Sequence, residues 1–368
     1  MSRKIYLSFL AIAITLGAVV FGIGHSAGRA ARPASLTVAA LPPSEFVVFV
    51  DAQRALNETL PGILASNPAA LAKLNAKLDE FEKETGINPR SFQSIAVGGR
   101  SVAGRPNDYS AVVLLSGDFK AADLIEAGFA AAKKRGEIRR EEQQYEGRTI
   151  FVLSDPQRPK TAGQNNNKPA QATTSTQPNL PAASTATPGQ YDVKLEAKVM
   201  KMAVTAIDER TIAVGNLEDV RAAIDANLGR VHVDDQLVQL ATSSPNAIVG
   251  FSGKMPADIG RRFGVDKTDM IGKHIAAIQR FYGSFSSIGT DTESFVGLQT
   301  ETADQARDLS QTLNTMKTLG GIGLGRDAAG MGSLGEVIKA LSITAQNNEI
   351  QIKLRIPQAS FAPLIRHF

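Results

Sequence analysis

The sequence predicts an α+β fold: two related modules of mostly antiparallel sheet with helices packed on one face, preceded by an N-terminal apolar helix. Three observations carry that prediction. Short β-branched and aromatic runs recur along the chain, and helical segments with apolar residues three and four apart separate them. The order strand, helix, two strands, helix, strand pair then occurs twice, a pattern that favours antiparallel sheet. At 43% hydrophobic and 21% charged, the 368 residues have the composition of a folded chain.

The chain begins with Arg3 and Lys4, and Ile5 to Gly24 then runs twenty residues without a charge. A secretory apolar region is about 7–15 residues and a spanning helix about 20, so residues 1–24 read as a signal or as a retained anchor. Small residues at Ser26, Ala27, Gly28, Ala30 and Ala31 leave a cleavage site open. Residues 25–44 are small, polar and proline-containing, which reads as a tether. The expected location is outside the cytoplasm. The chain would be anchored in the inner membrane through residues 5–24, facing the periplasm or cell exterior, or secreted if that segment is cleaved.

Charge supports this division. Residues 1–44 hold Arg3, Lys4, Arg29 and Arg32 and no acid, so they account for the whole net charge of +4. The remaining 36 basic and 36 acidic side chains cancel. A nucleic-acid binder needs a concentrated basic face, and no nucleic-acid partner is expected. Lys133, Lys134, Arg135, Arg139 and Arg140 form one short basic run, but Glu141 and Glu142 follow at once, so it reads as a solvated helix end. The chain has no cysteine, which excludes disulfides and thiolate chemistry.

Residues 45–228 form the first predicted module. Phe46–Val50 reads as a buried strand. Ser66 or Asn67 caps a helix that starts at Pro68, shows the stripe Leu71, Leu74, Leu78 and Phe81, and stops at Gly86. The stripe reads as core. Strands follow at Phe92–Gly98 and Tyr109–Ser116, and Asp118 is placed to cap a helix from Ala121 to Lys134. Thr149–Leu153, Met202–Ile207 and Thr211–Val214 are further strands, with a helix at Leu217–Ala226. Residues 155–190, rich in Pro, Gln, Asn, Thr, Ser and Ala, read as a disordered insertion between two strands.

Residues 229–368 form the second predicted module. Asp234 and Asp235 cap a short helix at Gln236–Leu240, and Ala247–Ser252 is a strand. A helical region through Ile275–Arg280 leads to strands at Phe281–Gly289 and Ser294–Thr300. Thr302 caps a helix from Ala303 to Leu319 with Ala306, Leu309, Leu313 and Met316 on one face. After a glycine-rich loop, Ala340–Ala345 and Glu349–Ile356 pair as a hairpin across Gln346-Asn347-Asn348.

The segments LPPSEFVVFVD, TGINPRSFQSIAVGG, LLSGDF, YEGRTIFVLSD and AIDERTIAVGNLEDVRAAID occur in that order. This series resembles a loose group of uncharacterised exported bacterial envelope proteins that repeat an α+β unit. The resemblance rests on Gly117-Asp118-Phe119 before a helix and on Gly215-Asn216-Leu217-Glu218-Asp219-Val220 after a strand. It covers most of residues 41–228, and it implies an exported, non-catalytic protein without an assigned activity.

No catalytic, cofactor-binding or metal site is predicted. Gly320-Gly321-Ile322-Gly323-Leu324-Gly325 brings its last glycine one residue early for a dinucleotide fingerprint, and with Gly330 and Gly332 it reads as a loop. Gly250-Phe251-Ser252-Gly253 falls one residue short of a nucleophile elbow. The histidines are His25, His232, His274 and His367, and none is tied to Ser252 by the sequence. His232 and Asp234 supply two metal ligands where a site needs three or four. The leading expectation is a non-catalytic binding or structural role toward an unknown envelope protein. The alternative is a carrier of a lipid or other apolar ligand, and a hydrolase comes last.

Overall fold

The computed structural model describes residues 34–65, 67–102, 105–135, 139–154, 202–256, 270–288, 291–324 and 337–357, with position 259. Residues 1–24 and the insertion at 155–190 lie outside them. Among the described residues no helix is long and apolar enough to cross a membrane.

The described chain opens with α1 (Ala34–Ala39). Val38 and Leu41 are fully buried against β1 (Phe46–Asp51) and its neighbours. Residues 34–44 therefore belong to the fold and not to a tether. A few apolar side chains among small, polar neighbours are enough to seat the segment.

A helical run over 52–64, α2, follows β1. It consists of Ala52–Arg54, a π-helical turn at Ala55–Thr59, and Leu60–Leu64. The sequence reading missed α2, because Pro61 and Gly62 look like a break. Pro61 instead sits in the first turn of the last piece, where its missing N–H is tolerated. Asn67 caps α3 (Pro68–Thr85) through the Ala70 N–H at 3.1 Å, and Gly86 ends it at φ 73°. The predicted stripe of α3 lies at the rim of a core, with no residue of the helix fully buried.

Strands β2 (Phe92–Val102) and β3 (Arg105–Gly117) precede α4 (Ala121–Arg135). Asp118, expected as a cap, pairs with Arg210 at 2.8 Å. Arg139 and Arg140 are not a helix end. They open β4 (Arg139–Tyr145), which turns back into β5 (Arg148–Ser154) through Glu146 at φ 50° and Gly147 at φ 72°. Positive φ at both turn residues matches the twist of a two-residue hairpin. Arg140 lies between the rings of Phe129 and Phe151, 4.4 and 4.0 Å from their centroids, and pairs with Glu126 and Glu142.

Next come β6 (Met202–Asp208), β7 (Thr211–Gly215), α5 (Leu217–Asn227), α6 (Asp235–Ala241) and β8 (Ala247–Lys254). The chain continues with α7 (Met270–Ala276), β9 (Ile278–Ile288), β10 (Asp291–Thr300), α8 (Ala303–Leu324), β11 (Leu341–Gln346) and β12 (Glu349–Pro357). Ile278–Arg280, read as helical, belong to β9. The glycine run read as loop continues α8 through Leu324.

All twelve strands form one sheet in the order β11-β12-β10-β9-β8-β1-β2-β3-β7-β6-β5-β4, and every pairing is antiparallel. The fold class is α+β. Outward from the seam between β1 and β8, the order is β2, β3, β7, β6 on one side and β9, β10, β12, β11 on the other. The β4–β5 hairpin is the addition to the first half.

Helices cover both faces of the sheet, a correction to the expected single face. The front face, defined by Val48 and Val50, carries α2, α3 and α4 over the first half and α8 over the second. The back face, defined by Val47 and Phe49, carries α1, α5 and α6. The physical reason lies in the strands of the first half. Val112–Leu115 and Ile212–Val214 are apolar on both sides, so each face needs its own cover.

Two predictions follow from this packing. At Gly250 an added Cβ would lie 1.9 Å from the Ala241 carbonyl oxygen of α6. Gly250→Ala is expected to destabilise the protein by about 2 kcal/mol or more, measured by denaturant unfolding. Asp51 is buried and accepts the Arg54 N–H at 2.9 Å. Burial raises its carboxyl pKa, opposed by the Arg54 hydrogen bond and charge. A raised folded pKa means the stability contribution is complete below the ordinary value of 3.8 and is lost as pH rises through the folded value. Asp51→Asn keeps the acceptor for Arg54. Its melting temperature should gain on wild type between acid and neutral pH, and a constant difference across that range would contradict the assignment.

Candidate functional site

Polar residues singled out by the sequence do not converge. Ser252 is fully buried on the back face, where its hydroxyl donates to the Leu237 carbonyl at 2.6 Å. His274, on α7, meets Thr312 of α8 at 3.2 Å on the front side. The two residues sit on opposite sides of the sheet. Asp234 caps α6 through the Gln236 N–H at 3.0 Å and pairs with Lys254 at 3.3 Å. That capping hydrogen bond, aided by Lys254, lowers its pKa. His232 is exposed beside it, and among the described residues no group of three His, Asp or Glu side chains is arranged to hold a metal. Gly325, Gly330, Gly332, His25 and His367 lie outside the described residues.

One buried polar cluster does form. Asp219 is 3% exposed, accepts from Arg100 at 3.1 Å, and takes the Ser110 hydroxyl on its other oxygen. Asn216 donates to Ser110 at 2.6 Å and caps α5 by accepting the Asp219 N–H at 2.8 Å. Every polar atom in this chain of bonds has a partner. The cluster fastens the start of α5 to β2 and β3, and it leaves Ser110 with no base other than a carboxylate already held by Arg100.

The feature that stands apart is apolar. On the back face, β1 buries Val47 completely and Phe49 to 4% exposure. On the front face, Phe46 and Val48 of the same central strand are only half-buried. Register extends this condition sideways through two rows, in which the Val, Phe and Leu side chains are half-buried and the glycines buried. Val97, Val48, Phe251, Gly283 and Val296 are successive cross-strand partners, and so are Gly99, Phe46, Gly253, Phe281 and Leu298. Among the described residues, Phe46, Phe251, Phe281 and Val296 belong to neither front-face core.

Glycines shape these rows. A Cβ at Gly99 would lie 2.1 Å from Phe46 Cζ, one at Gly253 2.6 Å from Phe281 Cζ, and one at Gly283 2.5 Å from Phe251 Cζ. Each ring therefore leans across a neighbouring strand and rests where a side chain would otherwise stand. The result is a low, smooth apolar floor. From β2 to β10 it crosses four strand spacings, about 19 Å. No charged side chain stands in either row. The polar side chains of the candidate clusters above lie elsewhere, so the floor offers dispersion and desolvation and no acid, base or nucleophile.

No protein-family model and no curated protein matches the chain. Solved structures of TP0453 are similar in outline. Crystal form I aligns at TM-score 0.40 and 8% identity over 92% of this chain and 98% of that one. Crystal form IV aligns at 0.42 and 9% over 91% and 97%. At that level the likeness assigns neither family nor function.

Sequence reasoning missed the floor. Its signal was present as glycines inside strands, at Gly99, Gly253 and Gly283, since a strand-interior glycine often marks a close approach. The contrast between faces is measurable. Phe49→Ala should cost about 3–5 kcal/mol, as expected for a buried phenylalanine. Phe251→Ala should cost about 1 kcal/mol less than that, since the part-exposed ring has less area to return to water. Equal losses in denaturant unfolding would mean the floor is core.

Proposed function

We propose that this chain is an exported, non-catalytic binding protein, held at a membrane by residues 5–24, whose binding element is the open apolar floor. The observation that carries the reading is the half-burial of Phe46 and Val48 on the central strand of a sheet otherwise sealed at that strand. Large apolar side chains left part-exposed at the centre of a fold mark a place for something else to cover. The dispersal of Ser252, His274 and Asp234 supports a binding role over hydrolysis. Export rests on the uncharged run Ile5 to Gly24 and on the confinement of net charge to residues 1–44. The resemblance to exported envelope proteins agrees with it.

Two measurements test the parts separately. Residues 1–44 fused to a reporter active only outside the cytoplasm should give activity, and a well-expressed but silent fusion rejects export. The environment-sensitive dye 1-anilinonaphthalene-8-sulfonate should fluoresce on the folded protein. Phe281→Asp should lower that signal at least five-fold without shifting the melting temperature by more than about 2 °C. An unchanged signal rejects the floor as the binding element.

A further inference from the structure

We infer that the occupant of the floor is one acyl chain of a membrane lipid, lying across the strands from β2 to β10; this rests on the binding role proposed above. Shape is the first argument. The two rows lie about 7 Å apart along the strands and extend about 19 Å across them. That makes a strip of roughly 130 Å², well short of the about 800 Å² per partner that a stable protein interface buries. A folded protein, including a second copy of this chain, is too large and too flat for it. Among the described residues, the strip is flanked by the core under α2 and α4, which reaches Val48 and Val97, and by the core under α8, which reaches Leu298.

Chemistry is the second argument. A peptide adding as a strand needs free backbone groups, but β2, β1, β8, β9 and β10 are each paired on both sides. A polar ligand needs fixed donors or acceptors, and these rows hold only Val, Phe, Leu and Gly. An alkyl chain needs neither. Its length suits the strip, since one leaflet of a bilayer core is about 15 Å thick. The three rings resting on Gly99, Gly253 and Gly283 keep the floor continuous across the strands, along the direction in which a chain would lie.

Full-length protein is reconstituted into phosphatidylcholine vesicles doped with phosphatidylcholine that carries a diazirine midway along one acyl chain. After illumination, labelled peptides are mapped by mass spectrometry. Label is expected on β1, β8 and β9 at Phe46, Phe251 and Phe281, beside label on residues 5–24 that reports insertion. Phe251→Glu should reduce the floor label at least ten-fold while leaving label on residues 5–24 unchanged. Gly253→Leu, which meets ring atoms of Phe281 and the Cβ of Phe46 rather than main-chain carbonyls, should do the same by filling the strip without a charge. Circular dichroism checks that both variants are folded.

Label confined to residues 5–24, or floor label that persists in both variants, overturns the lipid assignment. So does floor labelling by free diazirine palmitate with none from the phospholipid. The dye experiment separates the two levels of the argument. Dye binding that depends on Phe281 without lipid label removes the lipid and keeps the binding role, whereas loss of both removes the role as well.

Discussion

Twelve strands share one sheet because β1 and β8, the first strands of the two halves, pair with each other from Phe46 to Val50 against Gly253 to Val249. Everything else is arranged about that seam. Among the described residues the outermost strands of the two halves, β4 and β11, are the ends of the sheet, and β1 stands at the centre with neighbours on both sides. The seam also forces the back face to be closed by elements that cross it. α6 lies over β8 and β1, and its approach at Ala241 leaves room for no side chain at position 250. α1 packs beside α6 over β1 and β2. A back layer that spans the seam converts two half-sheets into one packed body, because each half buries its apolar face partly on a helix the other half helps to hold.

The two ends of the sheet are protected in different ways. β4 presents Arg139, Arg140, Glu141 and Glu142, charges that discourage edge-to-edge pairing. β11 carries no charge. Its two-residue turn makes Gln346 and Glu349 a hydrogen-bonded pair, so Leu341, Ile343 and Ala345 turn their backbone groups outward. α8 answers two of those carbonyls, Asn314 donating to Ile343 at 3.1 Å and Lys317 to Leu341. The apolar edge is thus partly occupied from within the chain.

Strands and capped helices were legible in the sequence because their signals are local. Asn67-Pro68 and Gly86 bound α3, and alternating or continuous apolar runs located eleven of the strands within a few residues. Three kinds of feature escaped. β4, an edge strand, is charged over Arg139–Glu142 and polar after that, so it carries no apolar pattern to find. α2 is mostly buried yet interrupted by a π turn and Pro61, which erase the 3.6-residue period. The back-face layer was invisible because a strand that is apolar on both sides reads the same from sequence whether helices lie on one face or two. The candidate site escaped for a further reason. It is made by register, and Phe46 meets Gly253 and Gly99 only after β1 has found partners some 50 and 200 positions away.

The same seam explains why a floor is left at all. Front-face helices belong to the two halves separately: α2 and α4 pack where β2, β3 and β7 meet, and α8 packs where β10, β12 and β11 meet. The core under α2 and α4 reaches the seam at the Val50 end of β1, where Ile248, Val249 and Phe285 join it, and helix layers have finite width, near 10 Å for one helix. Covering the middle would require an element shared by both halves, and that role is already filled on the back by α1 and α6. With the back closed, the front of β1, β8 and β9 can stay part-open at a tolerable free-energy cost, because the glycines let phenylalanine rings lie down on the sheet and hide their own edges from water. The arrangement reads as a surface kept low and continuous rather than as a core left unfinished. A gap arising from poor packing would show protruding side chains of mixed size, whereas here ring and glycine alternate between adjacent strands.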